Sequence, residues 1–433
     1  MPAPTRRSVP RLTTAAALIL SAVSLACGAA DEEPETAETS ETSIVAYVGA
    51  RVITGDGGVI EDGVFLVENE RFAGVGAAGD LAIPEGASRV DLDGSTVMPA
   101  IVNAHIHLSS DRAERTLQLQ HMAYYGAGAV VSLGLDAGDV GLSMRHELVP
   151  DGARSRSAGQ GITTPEPGRS EVPLWVETEE AGRDAVRELA AQNVDIVKIW
   201  VDDRGGRYER LSPDLYGAII DEAHQHELQV TAHVFYLEDA KGLLEAGIDV
   251  FAHGVRDMDV DDELVRMWLE RPEVVLVPNL PNPGVPVDLS WLAGTVPADR
   301  LEEMQSGSVD RPAAQESFGI QARSLARLHE AGVKVAFGTD GSAAWAIHQE
   351  MEDMVRSGLS PGDVIVAATS ASADVMNWSE VGSIATGKSA DFVVLHANPL
   401  EDITNTRRIS AVHLRGAAID RQGIAARVRG QSP

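Results

Sequence analysis

The chain has one cysteine, Cys27, in 433 residues, so no disulfide can form within it. Aromatic side chains make up only 4%, too few to build a stacking platform for unpaired bases. Basic residues are scarce: 35 Lys and Arg face 65 Asp and Glu, for a formal net charge of −30 at pH 7. A surface of that sign repels a phosphate backbone, which argues against nucleic acid as a partner, and it favours solubility. Much of the charge reads as solvated helix faces. No phosphate-binding glycine loop and no internal repeat is present. Apolar residues, by contrast, are plentiful at 44%, enough for a sizeable core, and the length allows one large domain plus a smaller one.

The first thirty residues follow a secretory signal pattern. Arg6, Arg7 and Arg11 precede an apolar stretch from Leu12 to Ala26, and small residues follow. The stretch is short for a membrane span. Cys27 in Ser24-Leu25-Ala26-Cys27-Gly28 resembles a bacterial lipoprotein acylation site, with Ser24 where a branched aliphatic residue is usual. Simple cleavage after Ala30 is the alternative. Arg6-Arg7 also resembles a twin-arginine signal, although the residues after it fit poorly. Asp31 to Ser43 is rich in Glu, Thr and Ser and reads as a disordered acidic linker. The expectation is an exported protein, periplasmic or on the outer surface, anchored to a bacterial membrane through lipid on Cys27.

From Ile44 to Val97 the pattern is one of short alternating strands: Ser43–Ile53, Gly63–Asn69, Arg71–Val75 and Ser88–Leu92. Strands return at Asp391–Leu395, Ile409–Leu414 and Ala417–Asp420. Residues 44–97 and 381–425 are therefore expected to form one small β-sandwich domain from both chain ends. Between them, over 98–380, apolar runs alternate with helical periods at Ser212–Glu227, Leu237–Ala246 and Gln315–Ala331. That alternation predicts parallel βα units and an α/β fold, a (β/α)8 TIM barrel, with its second and third strands at Ala129–Leu133 and Ala153–Ala158. A Pro-rich stretch from Val277 to Pro312 follows the seventh strand. It reads either as a substrate lid or as an ordinary surface insertion. Gly159 to Val172 is a second Gly/Pro-rich loop on the same face.

Five of the predicted strands end on, or carry, a ligand-type side chain. Ser95 to Ala104 runs into His105-Ile106-His107, whose imidazoles at i and i+2 point to one face of a strand. Lys198 sits inside Val194–Trp200. Leu228–Ala232 ends in His233, Ile248–Ala252 in His253, and Val333–Thr339 in Asp340. Singly, each has an ordinary structural explanation: a snorkelling lysine, capped core histidines, a helix-capping aspartate. The shared order of strand, then ligand, then helix is what sets them apart. A barrel gathers its strand ends on one face, so ligands distant in sequence would converge there. Neutral imidazole and carboxylate suit divalent metals such as zinc, cobalt, manganese or iron.

Together with Gly387-Lys388-Ser389-Ala390-Asp391, these residues resemble the metal-dependent amidohydrolases, in the imidazolonepropionase-like and prolidase-like branch. The resemblance covers Ile44 to Ile419. It implies two divalent metal ions, zinc being the expected ion. His105, His107 and Asp340 would hold the first, His233 and His253 the second, and an N6-carboxylated Lys198 would bridge them. It further implies cleavage of an amide or peptide C–N bond by metal-bound hydroxide, with Asp340 as general acid and base. Tyr236, three residues after His233, is a candidate oxyanion donor, or else a tyrosine packed at a helix start. His348 reads as a surface helix histidine that could touch substrate. Where the family commonly has Gly and Asp, this chain has Ala100 and Asn103, which puts fine geometry in question rather than ligation. The expected substrate is a small molecule, a dipeptide or an N-acyl amino acid. The alternatives are a cyclic amidase or lactonase with the same metals, a single-metal hydrolase with unmodified Lys198, and a non-catalytic ligand-binding surface lipoprotein. Oligomeric state is not legible.

Overall fold

The computed structural model describes residues 44–431. The signal segment, the acylation site at Cys27 and the acidic linker, all expected over 1–43, lie outside the described residues. Strands β1 (Val45–Ile53), β2 (Val59–Glu68), β3 (Arg71–Ala77), β4 (Ser88–Asp91) and β5 (Thr96–Pro99) open the chain. Between β2 and β3, Asn69 and Glu70 both take positive φ (49° and 67°), and Glu68 pairs with Arg71. Such a two-residue hairpin loop matches the twist of its strands.

Parallel strands follow: β6 (Ile101–Ile106), β7 (Ala127–Ser132), β8 (Arg154–Ser157), the two-residue β9 (Ile162–Thr163) and β10 (Leu174–Trp175), then β11 (Val197–Val201), β12 (Val230–Val234), β13 (Val250–Ala252), β14 (Val275–Val277) and β15 (Lys334–Val335). Every residue of β6, β7, β11 and β12 is buried, as expected of a parallel sheet covered on both faces. Helices separate most of these strands, and local chemistry sets their ends. Thr178 caps the helix Glu179–Ala191 by accepting from Ala181 N. Ser212 caps Pro213–Gln225, with proline in the first turn. Leu237–Ala246 stops at Gly247, whose φ of 98° only glycine adopts cheaply.

The result is a TIM-barrel-like α/β fold. Its parallel strands fall into a three-stranded sheet, β6-β7-β8, and a seven-stranded sheet, β10-β9-β11-β12-β13-β14-β15. At one junction Ala104 N donates to Phe337 O and Thr339 N to His105 O; at the other Asp195 N donates to Ser157 O. The second and third strands lie where the sequence pattern put them, within two residues at each end.

The last strands, β16 (Phe392–Leu395), β17 (Ile409–Leu414) and β18 (Ala417–Ala418), return to the first five. The two chain ends meet where β5 pairs antiparallel with β16, Val97 opposite Val394. β3 also comes back against the final strands: Phe72 N donates to Lys388 O at 2.9 Å, and the Phe72 and Phe392 rings lie 6.1 Å apart. All eight strands join in one sheet of order β18-β17-β16-β5-β1-β2-β3, with β4 beside β1. Alternation shows which face of a strand is buried, but not which strands lie beside it in the sheet. Aromatic rings fill the core of this sheet: Tyr47 stacks on Phe65 at 4.8 Å, and Phe392 meets Phe65 edge-on at 5.1 Å.

The Pro-rich stretch after β14 contains a 3₁₀ turn, Ser290–Gly294, and a helix, Ala298–Ser306. Leu289 and Leu292 anchor it in the main core. No described helix is long and apolar enough to cross a membrane.

Candidate metal centre

Five of the six side chains singled out by the strand-end pattern lie at or just past the C-terminal ends of parallel strands; Lys198 lies within its strand. His105 is in β6 and His107 one residue beyond it. Lys198 is in β11, His233 in β12, His253 just after β13, and Asp340 five residues after β15. Asp340 is the hub. Its Oδ1 lies 3.2 Å from His105 Nε2 and 3.0 Å from His107 Nε2, and its Oδ2 lies 3.3 Å from His253 Nε2. His105, His253 and Asp340 each offer an atom within 4.8 Å of the others, a grouping that could hold a metal ion.

Asp340 is brought there by an unusual backbone. At φ 50° its N–H donates to His105 O at 2.9 Å, beside the bond from Thr339 N at 3.0 Å. Gly338 makes this approach possible: a Cβ there would sit 2.6 Å from Val277 Cγ1, 2.7 Å from Asn279 Nδ2 and 2.8 Å from His105 Cβ.

Lys198 is fully buried and its Nζ has no hydrogen-bond partner. Its stem packs against Gly134, where a Cβ would come within 2.8 Å of Lys198 Cγ. Burial lowers the ammonium pKa to about 7; Asp340 pulls it upward, while Arg256 and Arg204 push it further down. Burial likewise lowers His105 to about 4 and His233 to about 3, and takes His253 well below its ordinary value. These three rings are therefore neutral at pH 7, the form that binds metal. For Asp340 burial acts upward, but the neighbouring imidazoles of His105, His253 and His107 outweigh it and hold the carboxyl far below the usual range.

His233 stands apart from the tight group. Its Nε2 lies 2.8 Å from Asp202 Oδ2 and 3.2 Å from Arg204 Nη1, and its ring is 4.5 Å from that of His253. A carboxylate on Nε2 places the proton there and leaves Nδ1 as the lone-pair nitrogen. His105 shows the reverse: Nδ1 meets Asn279 Oδ1 at 2.8 Å, freeing Nε2. The donor set suits a divalent ion of the zinc class. Lys198 Nζ is buried with no hydrogen-bond partner among the described residues and His105 Nε2 meets the carboxylate of Asp340; both are atoms that such an ion and a carboxylated lysine would satisfy.

Asn279, Asp202, Arg204 and Arg256 escaped the sequence reading. Asn279 and Asp202 obey the same rule as the ligands, a polar residue just past a buried strand, so the signal existed. Asn103 donates from Nδ2 to Thr339 Oγ1 at 2.9 Å and accepts from His105 N at 3.2 Å, so it braces the backbone of both ligand strands. The hydroxyl of Tyr236 donates to Asp203 Oδ1 at 2.8 Å, and that bond raises its pKa to about 12. His348 is not on the surface. It is 2% exposed, its Nδ1 lies 3.0 Å from Thr406 Oγ1, and Trp291 and Tyr125 pack against it. Covering by the Pro-rich stretch is what a local helix pattern could not reveal. A groove of about 930 Å³ along Arg210, Tyr216 and Lys241 shares no residue with this cluster.

Residues 96–419 match the amidohydrolase family model. An uncharacterized protein of Mycobacterium bovis is 28% identical over 76% of this chain and 87% of its own. The imidazolonepropionase of Mycolicibacterium smegmatis is 27% identical over 78% of this chain and 86% of its own. Among solved structures, a Bifidobacterium longum protein assigned as a prolidase superposes with a TM-score of 0.72 at 26% identity, covering 89% of this chain and 99% of that one.

Proposed function

The chain belongs to the amidohydrolase family, in its imidazolonepropionase-like and prolidase-like branch, and on that premise we propose that it hydrolyses a C–N bond in a dipeptide or an N-acyl amino acid, using two zinc ions. It is a hydrolase of carbon–nitrogen bonds, and its family uses divalent metal. The observation that carries the reading is the convergence of His105, His107 and His253 on the carboxylate of Asp340, with Lys198 Nζ buried, without a hydrogen-bond partner among the described residues, and near enough for its charge to act on His105 and Asp340.

His105, His107 and Asp340 would hold one ion, His233 and His253 a second, and Lys198 would join both as its carbamate. Burial supports that role, because a lysine held near pH 7 has a neutral fraction able to take up carbon dioxide. Divalent ions bound here would supply Lewis acidity, bringing the pKa of water to about 7 and polarising a carbonyl. Asp340, reachable from solvent through the 35% of its side chain that is exposed, would accept the proton of the attacking water. The same carboxyl would pass that proton to the leaving nitrogen. Tyr236 would support the carbonyl oxygen only after giving up its bond to Asp203.

One observation favours a single-ion version: His233 lies outside the tight group. Metal analysis of chelator-free protein separates the two. About two equivalents per chain, with turnover of dipeptides or N-acyl amino acids, supports the dinuclear reading; about one equivalent favours the mononuclear form. Absence of both metal uptake and turnover refutes the function. For location we propose export and lipid anchoring at Cys27, which radiolabelled palmitate incorporation and its loss in Cys27→Ser would test.

A further inference from the structure

We propose that Arg256, backed by Arg204, forms a subsite for a carboxylate carried by the substrate. This rests on the hydrolase reading above and assigns the side chains that would hold the carboxylate of such a substrate.

Arg256 lies three residues past His253. Its backbone N–H donates to Phe235 O at 2.8 Å, which fixes it at the strand-end face beside β12. The side chain is mostly buried, yet among the described residues no carboxylate pairs with it. Its Nη2 lies 2.5 Å from His253 Nδ1, and its Nε is buried without a partner. A desolvated guanidinium without a counter-ion is costly, and in a chain of net charge −30 acidic partners are not scarce.

Arg204 supplies a rigid neighbour. It sits at φ 56° in a loop where Asp202 Oδ1 accepts from its N–H at 2.8 Å. Its Nε donates to Glu166 Oε1 at 2.9 Å and its Nη1 to Asp202 Oδ2 at 2.6 Å. Nη2 is left buried and unpaired. The two guanidiniums rest on adjacent imidazoles, Arg204 on His233 and Arg256 on His253, whose rings are 4.5 Å apart. If Nε2 of His253 ligates an ion, the ring proton belongs on Nδ1, and that atom can no longer accept from Arg256. The loaded site thus releases the arginine. A planar two-oxygen acceptor matches its fork.

The carbamate of Lys198 presents the same chemistry from inside the protein, so the test separates the two sources. Calorimetry would compare N-acetyl-L-amino acids and X-Pro dipeptides with their C-terminal carboxamides, on the full chain supplied with zinc and bicarbonate. The expected result is at least one acid bound about 10- to 100-fold more tightly than its carboxamide. Arg256→Met should bring that ratio to about one, Arg256→Lys should keep part of it, and Arg204→Met should lower it less. Wild-type protein that binds acid and carboxamide alike, or binds neither, overturns the subsite. So does an Arg256→Met protein that keeps its preference but loses the ¹³C signal of the lysine carbamate. Selective binding without turnover would instead refute the hydrolase reading and leave the subsite standing.

Discussion

The sheet built from the two chain ends and the mouth of the parallel strands obey opposite rules. In the sheet, Phe65, Phe72 and Phe392 are buried with ring on ring, and His413 stacks flat on Phe392 at 4.4 Å. At the mouth, equally buried positions hold Lys198, His105 and His253, nitrogens without partners, and backbone at positive φ in His253 and Asp340. Burial in the sheet returns free energy through removal of apolar area from water. At the mouth it costs free energy, because charge and hydrogen-bonding groups lose water without full replacement. Such a cost is tolerated where it serves binding or catalysis, so the contrast separates the part that holds the fold together from the part that acts.

The largest effect expected of any change that breaks this contrast is at Lys198. Lys198→Met should lower kcat/KM by about 10³-fold or more, some 4 kcal/mol, with loss of bound metal. The metal-free variant should nevertheless melt at a higher temperature than metal-free wild type, because a buried amine gives way to an apolar chain. A variant that keeps most activity would leave only the single-ion reading. In the sheet, Phe392→Ala should cost about 3–5 kcal/mol in denaturant unfolding while kcat per folded molecule is unchanged. A change in kcat would show that the two regions are coupled.

Smaller effects sharpen the comparison. Asn279→Ala removes the acceptor that orients His105 and should weaken metal affinity about 10- to 100-fold, measured by competition with a chromogenic chelator. Unchanged affinity would mean that packing alone holds the ring. The smallest effect concerns Asp353, 3% exposed on the helix after Asp340. Burial raises its pKa from 3.8 to about 7, against the pull of Gln349 and Arg356. The folded state therefore keeps a proton that the unfolded chain releases above about pH 4. This contribution is fully present below that pH and is lost as pH rises towards 7, at some fraction of the ~1.4 kcal/mol per pH unit that one whole proton gives. Asp353→Asn should flatten that slope in unfolding measured from pH 4 to 7.

Much of this was legible before any coordinates. The strand patterns of both chain ends, the helix starting at Ser212, and five strands carrying ligand-type residues are local features, governed by side-chain periodicity and backbone preference. They were enough to single out His105, His107, His253 and Asp340, the three imidazoles lying within 3.3 Å of the carboxylate. The strand order of that sheet was not legible, because strand partners such as Val97 and Val394 are far apart in sequence. Nor was the burial of His348, which depends on a loop that arrives from Trp291. Asp202 and Asn279 went unread although they follow the same strand-end rule, since many polar residues do so without touching a ligand.

By itself, then, the amino-acid sequence determined which residues stand at the ends of which strands and what chemistry their side chains own. Only the tertiary structure decided that three imidazoles share the carboxylate of Asp340, that His233 turns to Asp202, that Lys198 is dry enough to hold a pKa near 7, and that among the described residues no carboxylate forms an ion pair with Arg256. Distance and desolvation are properties of the packed assembly, and they come into being only when strands separated by tens of residues close around a common interior.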